Sequence, residues 1–245
     1  IRAYESELTG AKFTVNDVRR RNVKQRPSAP FTTSTMQQDS GRKLRFTAQR
    51  TMSVAQQLYE GISVNGEGSV GLITYMRTDS VQVASSAIAE AREYIEDKYG
   101  KNYLPDKTRF YKTRAKSAQE AHEAIRPTSI MRTPDSLKAT LSTDQHKLYT
   151  LIWSRMLASQ MADAQSEATT VNIDAKCVGI TNEYVFRATG SVLRFAGFRV
   201  LYLESSDEDE DGDNKKTLPP IESNDGLECS NLECLQHFTQ PPPRF

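Results

Sequence analysis

The spacing of apolar residues changes period twice along the chain, and no other feature limits the fold so tightly. From residue 31 to about 162, apolar residues recur at three- and four-residue intervals, as in helices that bury one face. Thr47 is placed to cap a helix carrying Val54, Ala55, Leu58 and Ile62, and a second helix over about 85–99 aligns Ile88, Ala91, Ile95 and Tyr99, with Gly100 as its left-handed stop. Ser142 and Gln145 fit a capping box that opens a third helix, in which Leu148, Leu151, Ile152 and Met156 form the buried stripe beside Trp153. On both flanks the period is two. Ala11, Phe13 and Val15 alternate near the start; Val171, Ile173 and Ala175 alternate with Thr170, Asn172 and Asp174; Tyr184, Phe186 and Ala188 repeat the pattern beyond a turn at Gly179. Residues 192–195 and 198–203, split at Gly197, predict another strand pair, and LECLQHF (232–238) one more before Pro241, Pro242 and Pro243, which forbid helix. The expected fold is α+β and multidomain: a β-rich domain built from 1–34 and 163–245, with a mainly helical domain, 35–162, inserted into it.

The chain's 245 residues suffice for one large or two modest domains. No apolar run approaches the roughly 20 residues that cross a bilayer, and IRAYESELTG lacks the features of a secretory signal, so a soluble, cytoplasmic protein with no membrane partner is expected. The opening at Ile1 and the close at PPPRF read as a segment of something longer. Cys177, Cys229 and Cys234 form no CxxC pair; the last two, with His237, make at most half a metal site, and free thiols are the expectation.

Near-neutral overall charge conceals a strong asymmetry. Residues 1–50 hold eleven Lys and Arg against four acids, a basic segment suited to solvation or to a polyanion. By contrast ESSDEDEDGD (204–213) has seven acids and no base, which predicts a disordered loop.

Two stretches could carry chemistry. In GLITYMRTDS (71–80), a strand-like run delivers Tyr75 beside Arg77. A phenol titrating near pH ~10 is a poor nucleophile at neutral pH unless neighbours stabilise its phenolate. In a strand, Arg77 would share a face with Tyr75, and its guanidinium fork suits phosphate oxygens; the same pattern also fits a packed ring and a surface cation. In SAQEAHEAIRP (117–127), Ser117 and Glu120 form a capping box that sets His122 in a short helix halted by Pro127. The helix's positive end would disfavour the imidazolium; a half-buried histidine bonded to a carbonyl fits equally, and Glu120, Glu123 and Arg126 fit surface charges. There is no GxSxG elbow, phosphate loop, HExxH or DxDxxxE cluster, and three histidines exclude a histidine-rich metal site.

GLITYMRTDS resembles the active-site tyrosine motif of bacterial type IA DNA topoisomerases. The likeness extends in order through PFTTSTMQQDS (31–40), TMSVAQQLYEG, SAQEAHEAIRPT, LYTLIWSRMLASQM and QHFTQPPPRF. Met76 favours the topoisomerase I branch over the topoisomerase III branch, where proline is usual. The resemblance implies that Tyr75 attacks a phosphodiester to give a 5′-phosphotyrosine and a free 3′-hydroxyl, with religation needing no ATP. Arg77 would support the phosphate, and His122, Arg126 and Arg45 are the expected DNA contacts. No metal ligand is expected in the chain, because the family's magnesium belongs to a Toprim domain that it does not contain. A monomeric, nucleoid-associated enzyme acting on single-stranded segments of negatively supercoiled duplex is implied, working with further domains of the same polypeptide; this part alone would not relax DNA. Alternatively, Tyr75 stacks on bases in a non-catalytic single-strand-binding module, or the acidic loop and β domain form a protein-interaction scaffold.

Overall fold

The computed structural model describes residues 7–64, 68–112, 123–177, 179, 183–203, 217–233 and 238. It is an α+β fold that divides into two compact units, one comprising 1–23, 166–192 and 212–245, the other 24–165 and 193–211. The described residues 193–203 cluster with the helices.

The first unit is built on a sheet of order β5-β4-β1-β6, from strands β1 (Lys12–Gln25), β4 (Ala164–Lys176), β5 (Tyr184–Phe195) and β6 (Gly226–Leu227). Phe13 and Thr14 of β1 face Leu227 and Gly226 in antiparallel register. Val15, Val171 and Ala175 are buried, and Phe13 packs on Phe186 at 5.7 Å between ring centroids. From Arg19 onward β1 is exposed, so the basic run is a solvated strand rather than a loop. The strand expected in LECLQHF is not formed at Leu232 and Glu233, and residues 234–237 lie outside the described residues, as do the acidic run 204–213 and the capping box and histidine of 117–122.

The second unit is helical. Thr32 and Thr35 form a capping box at the start of α1 (Thr33–Asp39), which passes into a π-helical turn (Ser40–Leu44) closed by Arg45 at φ 57°. Thr47 caps α2 (Ala48–Glu60) by accepting the Arg50 N–H at 3.2 Å. That helix buries Thr51, Val54, Ala55 and Leu58. It stops at Gly61, φ 126°, so Ile62, expected as its last apolar residue, instead opens β2 (Ile62–Val64), which pairs with β3 (Gly68–Val70). Helix α3 (Ser85–Tyr99) ends at Gly100, φ 89°, and α4 (Pro134–Leu137) is a single turn. The capping box of Ser142 and Gln145 opens α5 (Thr143–Gln160).

Helix α5 differs from its expected single stripe: every residue from Leu151 to Gln160 is buried. A helix enclosed on all sides is the centre of its domain rather than a surface element. Around it pack Met36, Leu58, Ile95, Ile125 and Phe198, while Trp153 donates to Ile130 O at 2.9 Å and takes the edge of Tyr94. Burying each large side chain contributes about 1.5–3 kcal/mol. The expected strand at 198–203 is instead a 3₁₀ turn (Gly197–Val200). A Cβ at Gly197, φ 50°, would lie 2.5 Å from Asp163 O, and Phe198 donates to Ala162 O at 3.0 Å, so close backbone packing overrides the alternation.

Candidate active site

Residues 71–82 are held as an extended segment, but not by a sheet. Only Ile73 makes a bridge, antiparallel to Pro127. The rest of the backbone is fixed by side-chain hydroxyls and by two distant pieces of chain. Leu72 donates to Leu58 O at 2.8 Å, and a Cβ at Gly71 would meet Tyr59 O at 2.8 Å, so glycine lets the segment lie against the end of α2. Thr128 donates to Leu72 O and, through Oγ1, to Gly71 O. Thr74 donates its N–H to Arg126 O (2.9 Å) and its hydroxyl to Ala124 O (2.7 Å), and accepts the Arg126 N–H (3.0 Å). On the other side, the Thr33 N–H donates to Thr78 O and the Thr33 hydroxyl bonds the backbone at Met76 and Thr78. Short hydroxyl turns follow, Ser80 N–H to Thr78 Oγ1 and Gln82 N–H to Ser80 Oγ.

This bracing gives strand-like alternation without a ladder. Met76, Thr78 and Ser80 are buried, while Tyr75, Arg77 and Asp79 are exposed. Tyr75 is 44% exposed, and its ring meets Tyr59 edge-on, 5.4 Å between centroids at 63°. None of the ion pairs among the described residues engages Arg77, so its guanidinium stands in solvent on the face that carries the phenol. A phenol and an uncommitted guanidinium on one accessible face can meet a phosphodiester together.

The other expected site residues are placed differently. Arg126 turns inward: it donates to Glu123 Oε2 at 2.7 Å and to Pro127 O at 2.9 Å, and its buried Nε has no partner among the described residues. Glu123 also accepts the Ala84 N–H at 2.7 Å, standing in for the side-chain cap that α3 lacks. Arg126 thus braces the segment's underside instead of projecting with Tyr75. Arg45 is exposed at the end of the π-helical turn. His122 lies outside the described residues. Thr33, Thr74 and Tyr59 were not singled out by sequence, and Glu123 was read there as a surface charge; the FTTST run and the tyrosine ending α2 carried the hints for the others.

A second tyrosine–arginine cluster is buried in the same unit. Tyr202 donates to Asp39, whose Oδ2 lies 3.6 Å from Lys43 Nζ and 3.8 Å from Arg155 Nη1. Arg155 donates to Ala29 O at 2.6 Å and covers the Phe31 ring, and Lys43 Nζ sits 3.5 Å from the Tyr202 ring centroid. Burial pushes the Tyr202 phenol well above its ordinary range, with Arg155 opposing. This tyrosine is locked in its protonated form. An open groove beside Arg50 and Asp144 at the starts of α2 and α5 is likewise satisfied internally, by a bidentate pair at 2.8 Å.

The comparisons with known proteins agree on one family. Residues 2–245 match the family model described as DNA topoisomerase. The DNA topoisomerase 1 of Xylella fastidiosa strain 9a5c is 46% identical over 98% of the chain and 29% of its own length; that of strain Temecula1 is 48% identical over 96% of the chain and 28% of its own. Among solved structures, full-length topoisomerase I from Thermotoga maritima superimposes with a TM-score of 0.74 at 32% identity, over 93% of the chain and 34% of that protein. The chain therefore spans about 29% of the length of the curated relatives it matches, and it belongs to the bacterial type IA DNA topoisomerase family.

Proposed function

We propose that the chain is the nucleophile-bearing part of a type IA topoisomerase, with Tyr75 as the nucleophile and Arg77 as the cation that supports the phosphate. The observation that carries this is the joint exposure of Tyr75 and Arg77 on one face of a braced segment, inside the motif shared with the family. Tyr75 Oη bonds to the phosphorus of one DNA strand as the bond from phosphorus to O3′ breaks. The phenol proton is lost, and the 3′-oxygen leaves as a hydroxyl. One ester replaces another, so religation is the same exchange in reverse and needs no ATP. Arg77 spreads its charge over the non-bridging oxygens as negative charge develops.

Magnesium is implied by the family, and the chain's own donors do not suit it. Asp79 is the one carboxylate within 71–82, Glu123 is engaged by Arg126 and Ala84, and no group of three His, Cys, Asp or Glu comes together among the described residues. That donor set does not make an octahedral oxygen site; regions outside this chain would hold the metal. Single-stranded segments of negatively supercoiled DNA are the substrate, and the chain alone is expected not to relax DNA.

The paired exposed rings of Tyr59 and Tyr75 also suit base stacking in a non-catalytic module. A complete enzyme carrying this chain separates the two. After denaturant quench, mass spectrometry should locate a 5′-phosphorylated DNA end on Tyr75, and Tyr75→Phe should remove the adduct while retaining single-strand binding. An adduct that persists in the phenylalanine variant refutes the assignment.

A further inference from the structure

Arg77 has no hydrogen-bonding or ionic partner of its own among the described residues, so its place is set by its neighbours, Met76 and Thr78. Both are buried, and both are tied to one side chain. The Thr33 hydroxyl donates to Met76 O at 2.8 Å, with Thr78 O at 3.1 Å sharing the same proton, and accepts the Thr78 N–H at 2.9 Å. The Thr33 N–H, one of the donors that the start of a helix leaves without an intrahelical acceptor, reaches Thr78 O at 2.9 Å. Thr32 and Thr35 are occupied with each other in the capping box. Among the described residues, Thr33 alone spans the two residues that flank the guanidinium.

We propose that Thr33 is a positioning residue for Arg77: by closing the Met76–Arg77–Thr78 arch from beneath, it fixes where the guanidinium meets the scissile phosphate. This rests on the function proposed above. The side chain touches neither substrate nor phosphate and acts only through the backbone of the arch. Displacing a phosphate-binding group by about 1 Å slows a reaction by up to about 100-fold. Valine keeps the shape of threonine and removes both the donor and the acceptor.

The test is single-turnover cleavage of a saturating oligonucleotide by the complete enzyme, in a double-mutant cycle. Thr33→Val should slow cleavage by about 10- to 100-fold, and Thr33→Ser should restore it to within about threefold. In an Arg77→Ala background, Thr33→Val should change the rate by less than about twofold, because the group it positions is gone. A purely structural role would multiply the two losses. If the valine variant does not fold, Thr33→Ala is carried through the same cycle. Unchanged cleavage, multiplying losses, or a serine variant as slow as the valine one each overturn the proposal. They do so with Tyr75→Phe still devoid of adduct, whereas failure of the functional assignment is seen as adduct surviving in Tyr75→Phe.

Discussion

Tyr202 and Tyr75 sit in the same helical unit, each with an arginine near, and their surroundings make opposite use of the phenol. Tyr202 is 4% exposed, gives its proton to a hydrogen bond with Asp39, and lies beside an arginine already bonded to Ala29 O. Burial raises its pKa, so the phenolate is out of reach. Tyr75 has its ring edge against Tyr59 and remains 44% exposed, with Arg77 out in solvent. Residue type therefore does not make a nucleophile. Under the function proposed above, access does, together with a cation whose charge is not already answered by a carboxylate.

The comparison can be broken most directly by exchanging the two hydroxyls. Tyr75→Phe should abolish the covalent DNA adduct in the complete enzyme while shifting unfolding free energy by no more than about 0.5 kcal/mol, as exposed substitutions do. Next in size is Asp39→Ala, which removes the buried carboxylate beside Arg155 and Lys43; urea unfolding should show a loss of about 3–5 kcal/mol. Tyr202→Phe should cost about 1–3 kcal/mol, since it strips one bond from a buried carboxylate. It should leave adduct formation in place, and its loss would erase the distinction between the two tyrosines. The smallest effect is a pH dependence from the buried phenols. Burial raises Tyr111 to about 12. In the unfolded chain it titrates near ~10. The folded state therefore holds the proton longer: stability is complete below pH ~10 and falls as pH rises toward about 12. Denaturant midpoints across that range should decline, and less steeply in Tyr111→Phe, which no longer donates to Ser159 O.

Much of the helical unit was legible because its signals are local. Thr47, Gly100 and the Ser142–Gln145 box mark helix ends through bonds made within a few residues, and each is found in place. What distant parts of the chain impose was not legible. The alternation at 198–203 reads as strand, yet Phe198 and Tyr202 are buried by a 3₁₀ turn tied to Ala162. Residues 71–80 also alternate, and there the exposure pattern was readable while its cause was not: the hydroxyls of Thr33 and Thr74 and the carbonyls of 124–126 take the place of neighbouring strands. That Tyr75 and Arg77 share an exposed face was readable from the alternation of the motif. The inward turn of Arg126 was hidden because it depends on Glu123, whose other oxygen serves the N-cap of a helix 39 residues earlier.

The burial of Met76, Thr78 and Ser80 has a practical meaning for engineering. The buried positions 76, 78 and 80 lie on the segment's inner side, and positions 75, 77 and 79 face outward. Those positions form a rack of interchangeable tools on a fixed mount, so new side chains can be tried there, one at a time or together, with the mount itself left standing.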